Sequence, residues 1–275
     1  MGFISLKNAG YEYPGGFRAV DSVTIDIDRG ENIAVLGQNG AGKTTMVKLC
    51  NRLLCPTEGD VFIGGKNTRR HTTAEISRIV GYVFQNPDDQ IFHSTVEREV
   101  EFGPKMMKLT PGQIRRQVDD ALEITGLSRE GEENPYNLPW SRRKFITIAA
   151  VIAMNTEVII LDEPTAGQDL AGTRLLQAVI KTLLDRGKTL ITISHDMEFV
   201  AENFSRLILM ADKRVVEDGK PENVFWNFEA LKKARLTQPY VSRICRSLDI
   251  GGNIIHLEDA VEAVMRRALR PHKGF

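Results

Sequence analysis

The chain has 275 residues, 42% apolar and 26% charged, enough for one large domain or two small ones around a buried core. Lys plus Arg (36) equals Asp plus Glu (36), so bulk charge points to neither nucleic acid nor an acidic surface as partner. Cys50, Cys55 and Cys245 form no metal-ligand spacing and fit a reducing compartment. With no basic-then-apolar leader and no apolar run long enough to span a bilayer, the expectation is a protein that is cytosolic or held at a membrane by partners.

Residues 3–9 and 19–27 alternate as two strands of a hairpin joined through Tyr13-Pro14-Gly15-Gly16. Tyr11 and Tyr13 flank that turn, and each is either a stacking platform for an adenine ring or a packing residue. The apolar run Ile33–Leu36 then reads as a strand, and Gly37-Gln38-Asn39-Gly40-Ala41-Gly42-Lys43-Thr44-Thr45 leads from it into a helix expected over 44–54. Strand, loop and helix form the context in which G-x-x-x-x-G-K-[ST] denotes a phosphate-binding loop. The glycines let successive N–H groups converge on an anion, Lys43 supplies a mobile charge, and the Thr44 hydroxyl can meet Mg²⁺. Cys50, on the apolar face of that helix, belongs in the core.

A strand over 60–63, a helix over 71–79 and a buried strand over 79–84 follow. The last delivers Gln85, either a plain loop amide or a group reaching Mg²⁺ or an attacking water. From Thr95 to about Asn155 the period is helical, with segments 94–102, 110–126 and 141–154 separated by Gly103-Pro104 and by the polar loop 128–139. No strand interrupts them, so an all-helical subdomain inserted into an α/β core is predicted. Val158–Glu163 resumes the core as an apolar strand ending in two carboxylates. Beside a phosphate loop, such a pair suits a nucleotide hydrolase that needs one acid at Mg²⁺ and one at water. A helix over 170–186 and a strand over 189–194 carry the chain to His195, either structural or a group that bonds a γ-phosphate or orients water. Leu207–Ala211 and Arg214–Asp218 make a closing hairpin. Residues 221–275 are helical, and the basic end, with Arg266, Arg267, Arg270, His272 and Lys273 before Phe275, reads as a solvated helix face.

The ordered set of phosphate loop, Gln85, helical insert, Ile160-Leu161-Asp162-Glu163-Pro164-Thr165-Ala166-Gly167 and His195 resembles the ATP-binding cassette ATPases over roughly residues 3–220. Val83-Phe84-Gln85-Asn86-Pro87-Asp88-Asp89-Gln90, the segment Thr95–Pro104 and Gly219–Phe225 are similar more narrowly to ATPase subunits of energy-coupling-factor importers, which take up vitamins and transition-metal ions. The resemblance implies a RecA-like phosphate-loop NTPase core with an antiparallel β subdomain, a helical insert over about 90–155 and a helical tail from 221. It implies ATP and Mg²⁺ as cofactors, with Tyr13 on adenine and Gly37, Asn39, Gly40, Ala41, Gly42, Lys43, Thr44 and Thr45 around the phosphates. Thr44 and Gln85 would meet Mg²⁺ with Asp162 behind them, Glu163 would act as general base or orient water, and His195 would contact the γ-phosphate. Gly167-Gln168-Asp169 corresponds to the family's loop across the dimer, with Gln168 where leucine is usual.

One motif departs. Where the family has Leu-Ser-Gly-Gly-Gln, whose helix end clamps ATP held by the opposite subunit, this chain has Leu138-Pro139-Trp140-Ser141-Arg142. Pro139 lacks both the hydroxyl and a backbone donor, and Trp140 and Ser141 replace glycines that permit close approach. The expectation is an intact phosphate site that contributes poorly to its partner's site, and hence a heterodimer with a second ATPase, a homodimer being the alternative. Integral membrane coupling and substrate-binding subunits would hold the pair at the cytoplasmic face of the cell membrane. Two rival readings are a regulatory nucleotide-binding subunit of slight turnover and a cassette protein acting on DNA or ribosomes. Neutral charge and the lack of long heptads count against the second.

Overall fold

The computed structural model describes residues 2–268. Arg270, His272, Lys273 and Phe275 of the basic end lie outside the described residues, while Arg266 and Arg267 are exposed. The strands are β1 (Ile4–Tyr13), β2 (Phe17–Ile27), β3 (Asn32–Leu36), β4 (Glu58–Ile63), β5 (Lys66–Asn67), β6 (Val80–Val83), β7 (Val158–Asp162), β8 (Thr189–Ile193), β9 (Arg206–Ala211) and β10 (Arg214–Gly219). One sheet, in order β2-β1-β4-β5, is antiparallel throughout. The other, in order β10-β9-β3-β8-β7-β6, is parallel except for the edge strand β10.

Strand periodicity explains how the larger sheet is buried on both faces. Ile33, Val35, Val158, Ile160, Ile191 and Ile193 point into one core, shared with the antiparallel sheet and with α1 (Lys43–Leu49). Ala34, Leu36, Ile159, Leu161 and Leu190 point into the other, which is built with helices. After the short α2 (Thr73–Ile76), whose Ile76 joins the first core, those helices are α3 (Val96–Met106), α4 (Pro111–Ile124), α5 (Trp140–Ala153), α6 (Leu170–Asp185) and α7 (Met197–Asn203). Of these, α3, α4 and α5 pack together as the expected helical insert. Cys50 is buried in the first core.

Several boundaries differ from the sequence reading for physical reasons. The helix predicted over 44–54 stops at Leu49, because Arg52 turns left-handed at φ 64°. The helix predicted over 71–79 shrinks to α2, started by a Thr72–Glu75 capping box. Gly103-Pro104, expected to separate helices, lies inside α3 instead. Pro104 forfeits its own backbone bond there and crowds the carbonyl of Val100, four residues earlier. Glycine is needed there, since a Cβ at position 103 would come within 2.4 Å of the side chain of Met154, the residue that caps the end of α5.

The tail forms α8 (Pro221–Val224), α9 (Phe228–Ala234), α10 (Tyr240–Ser247) and α11 (Leu257–Ala268). Val224, Phe225, Ala230, Leu231 and Ala234 join the main helical core. Cys245, Ile250, Ile254 and Ala260 make a small separate cluster. In packing terms, α8 and α9 thus extend the core beyond residue 220.

Candidate active site: the nucleotide cleft

The parallel strands β3, β6, β7 and β8 release the chain at the same edge of the sheet, the position where open α/β sheets bind ligands. The phosphate loop leaves β3, Gln85 follows β6, Asp162 and Glu163 end β7, and His195 follows β8. A cleft of about 310 Å³ collects Tyr13, Asn39, Gly40, Gly42, Lys43, Thr44, Thr45, Gln85, Asp162, Glu163 and His195. Gly37 and Ala41 do not line it. Gly37, the first residue of the loop, is buried, and Ala41 lies in the core.

The loop's shape depends on glycine. Gly42 has φ 98°, and a Cβ there would come within 2.3 Å of the Ala19 carbonyl oxygen. At Gly37 (φ 148°) a Cβ would meet the Met210 carbonyl oxygen at 2.3 Å. The Lys43 ammonium donates to the carbonyls of Gly37 (2.7 Å) and Gln38 (3.0 Å). Burial lowers its pKa, while the nearby Glu163 and Asp162 charges oppose that shift. The tail reaches this loop, because the Gln38 amide donates to the carbonyl of Ala234 at the end of α9 (3.1 Å).

Tyr13 forms the opposite wall, its hydroxyl 3.2 Å from Thr45 Oγ1. Tyr11 packs edge-on against it, half-buried against the core, and does not line the cleft. Sequence reasoning missed Phe17, directly across the hairpin from Tyr13, whose exposed ring also lines the cleft. An aromatic directly after the turn Pro14-Gly15-Gly16 was the available signal.

At the carboxylate end, buried Tyr82 donates its hydroxyl to Asp162 Oδ2 (2.7 Å), fixing that carboxylate. Burial first, and the Asp162 charge second, push the Glu163 carboxyl up to about 7. Its backbone is left-handed (φ 47°), an unfavourable conformation for a non-glycine residue that is found preferentially at functional sites. His195 Nε2 lies 3.1 Å from Glu163 Oε1, and burial together with Lys43 lowers the imidazole pKa. Lys144 on α5 was also missed. Its ammonium donates to the carbonyls of Phe84, Gln85 and Asp162, and burial pulls it down to about 8.

At the departed motif, Pro139 caps α5 without a side-chain bond. A Cβ on residue 167 would come within 2.5 Å of the Trp140 ring, so the indole lies directly on Gly167. Gln168 Nε2 donates to the Ser141 carbonyl (3.1 Å). The two places where this chain leaves the family pattern therefore touch one another.

Fold and cleft define a phosphate-loop nucleoside triphosphatase with a helical insert. The family model described as ABC transporter matches residues 20–166, and the chain belongs to that family, as an ATP-binding, ATP-hydrolysing subunit of the energy-coupling-factor type. It is 36% identical to the energy-coupling factor transporter ATP-binding protein EcfA of Methanocaldococcus jannaschii, covering 92% of each chain. Among solved structures it is similar to CbiO1 of Clostridium perfringens, described as part of the ABC transporter complex CbiONQ. That match has a TM-score of 0.76 and 32% identity, and covers 90% of this chain and 99% of that one. A dimeric ATP-binding cassette in a post-hydrolysis state with ADP and Pi matches with TM-score 0.71 and 26% identity, over 79% of this chain and 98% of that one.

Proposed function

We propose that this chain hydrolyses MgATP in the cleft between Tyr13 and the strand ends, and that this drives uptake of a vitamin or transition-metal ion through membrane partners. The observation that carries the residue roles is the convergence of Gln85, Asp162, Glu163 and His195 on one phosphate loop. Tyr13 takes the adenine face. Asn39, Gly40, Gly42, Lys43, Thr44 and Thr45 surround the phosphates, with Gly37 and Ala41 shaping the loop from below. Lys43 exchanges its two carbonyl acceptors for phosphate oxygens.

The donor set fits Mg²⁺. Among the described residues no group of three or more His, Cys, Asp or Glu could hold an ion unaided. Thr44, Gln85 and Asp162 share the cleft, and Mg²⁺ typically takes one or two protein oxygens together with phosphates and water. When bound, it neutralises charge on the β- and γ-phosphates. Thr44 and Gln85 would hold it, with Asp162 behind them. The Glu163 carboxylate orients the attacking water and accepts its proton as the bond to the β-phosphate oxygen breaks, releasing ADP and phosphate. His195 holds Glu163 and faces the γ-phosphate.

Membrane partners are supported by an apolar groove of about 240 Å³ between core and insert, lined by Leu53, Phe84, Phe92, Phe102 and Met154 among others. Phe92 is 63% exposed there. Among the described residues no helix is long and apolar enough to cross a membrane. The chain works at the cytoplasmic face as a peripheral subunit paired with a second ATPase. Because Pro139, Trp140 and Ser141 offer a poor clamp, that pair is an asymmetric heterodimer.

Equilibrium binding tests this reading. Lys43→Ala removes the loop's principal charge and should weaken ATP binding or abolish turnover in a protein that still folds. Unchanged affinity and hydrolysis in that variant would sink it.

A further inference from the structure

Lys144 has no solvent exposure, yet it carries an ammonium group. Burying an ammonium is costly unless its donors are filled. Lysine has three donors, and here they meet the carbonyl oxygens of Phe84 (2.9 Å), Gln85 (2.7 Å) and Asp162 (3.0 Å). These acceptors belong to two separate segments. Phe84 and Gln85 follow β6 on the way into the insert, and Asp162 ends β7. Lys144 itself sits on α5, inside the insert. One side chain thus ties the insert to both strand ends that present Gln85 and Asp162 to the cleft, and it does so without lining the cleft.

Neighbouring contacts hold the same junction. Arg143 Nη1 donates to Asp88 Oδ1 (2.7 Å), tying α5 to the turn just after Gln85. Tyr82 anchors the Asp162 carboxylate from β6, while Lys144 takes the same residue's carbonyl. A methionine would fill the same space, so packing alone does not call for a cation here. Three convergent acceptors do.

We propose that Lys144 is a positioning residue for ATP hydrolysis, acting through the backbone of Gln85 and Asp162 to aim the Gln85 side chain at the nucleotide. The proposal rests on the reading of Gln85 given above. It makes the junction between α5 and the strand ends part of the catalytic geometry.

A double-mutant cycle on the full chain, in the ATPase assembly co-purified from membranes, tests it. Lys144→Met should lower kcat at least tenfold, with ATP affinity within about threefold of wild type, both measured well below the variant's melting transition. Combined with Gln85→Ala, it should lose no more than about twofold beyond Gln85→Ala alone. Lys144→Gln, which keeps amide donors, should recover part of the loss, and it carries the same cycle if the methionine variant does not fold. Multiplying losses in the double variant, or wild-type turnover in Lys144→Met, would overturn the role of Lys144. A Gln85→Ala variant with normal turnover would instead remove the reading of Gln85, and the proposal with it.

Discussion

His195 Nε2 lies 3.1 Å from Glu163 Oε1, although the two residues follow different strands of the parallel sheet. The contact exists because β7 and β8 are neighbours in register, with Asp162 opposite Ile193, and because the Glu163 amide donates to the Ile193 carbonyl (2.9 Å). Burial raises the carboxyl and lowers the imidazole, so near neutral pH a neutral histidine faces a carboxyl poised to take a proton.

The same burial has a cost in stability. Glu163 titrates at about 7 in the folded chain against 4.5 as a free group, so the folded state holds its proton more tightly. Stability from this group is full below about pH 4.5 and is lost as pH rises through about 7. In metal-free, nucleotide-free protein, Glu163→Gln should therefore be more stable than wild type at pH 8, by on the order of 1–3 kcal/mol. The gap should close towards pH 4.5, where the wild-type carboxyl is protonated in both states. Urea unfolding at a series of pH values measures it. A variant less stable at pH 8 would mean the carboxylate is well compensated.

Tyr13 and Phe17 line one side of the cleft, where the proposed reading places the base. Tyr13→Ala should raise the Kd for ATP roughly five- to a hundredfold, because stacking on one aromatic ring is worth about 1–3 kcal/mol. Inorganic tripolyphosphate, which has no base, should bind the variant and the wild type alike. Phe17→Ala should weaken ATP binding too, since its ring lines the same wall. Equal loss of tripolyphosphate binding would show that Tyr13 acts on the phosphate loop, through its contact with Thr45, rather than on the base.

Trp140 covering Gly167 makes the clamp question measurable. Restoring Ser, Gly and Gly at positions 139–141 should raise ATP hydrolysis by the purified chain alone at least tenfold, if the wild-type residues impair the clamp. Vigorous hydrolysis by the wild-type homodimer, unaffected by the restoration, would end the argument for an asymmetric pair.

The strand ends were legible in the sequence because buried parallel strands leave continuous apolar runs, such as Val158–Leu161, each with its polar residue just beyond. The phosphate loop was legible from glycine spacing. Tyr11 and Tyr13 could not be separated by alternation, because β1 shifts register on either side of Tyr11. Lys144 stayed hidden because a lysine in a helix reads as a solvated charge until its three carbonyl partners are in view. They come from positions about 60 and 18 residues away along the chain. The contact of α9 with Gln38 is a backbone bond, which no side-chain pattern encodes.

Hydrolysis by the Glu163→Gln variant bears most directly on the claim that this chain's own phosphate site is where ATP is cleaved. The substitution keeps size and hydrogen bonding and removes the base, so turnover by the assembled transporter should fall about 10²–10⁴-fold while ATP affinity stays within about threefold. Near-normal turnover would contradict the account and place the chemistry on another group or in the partner's site.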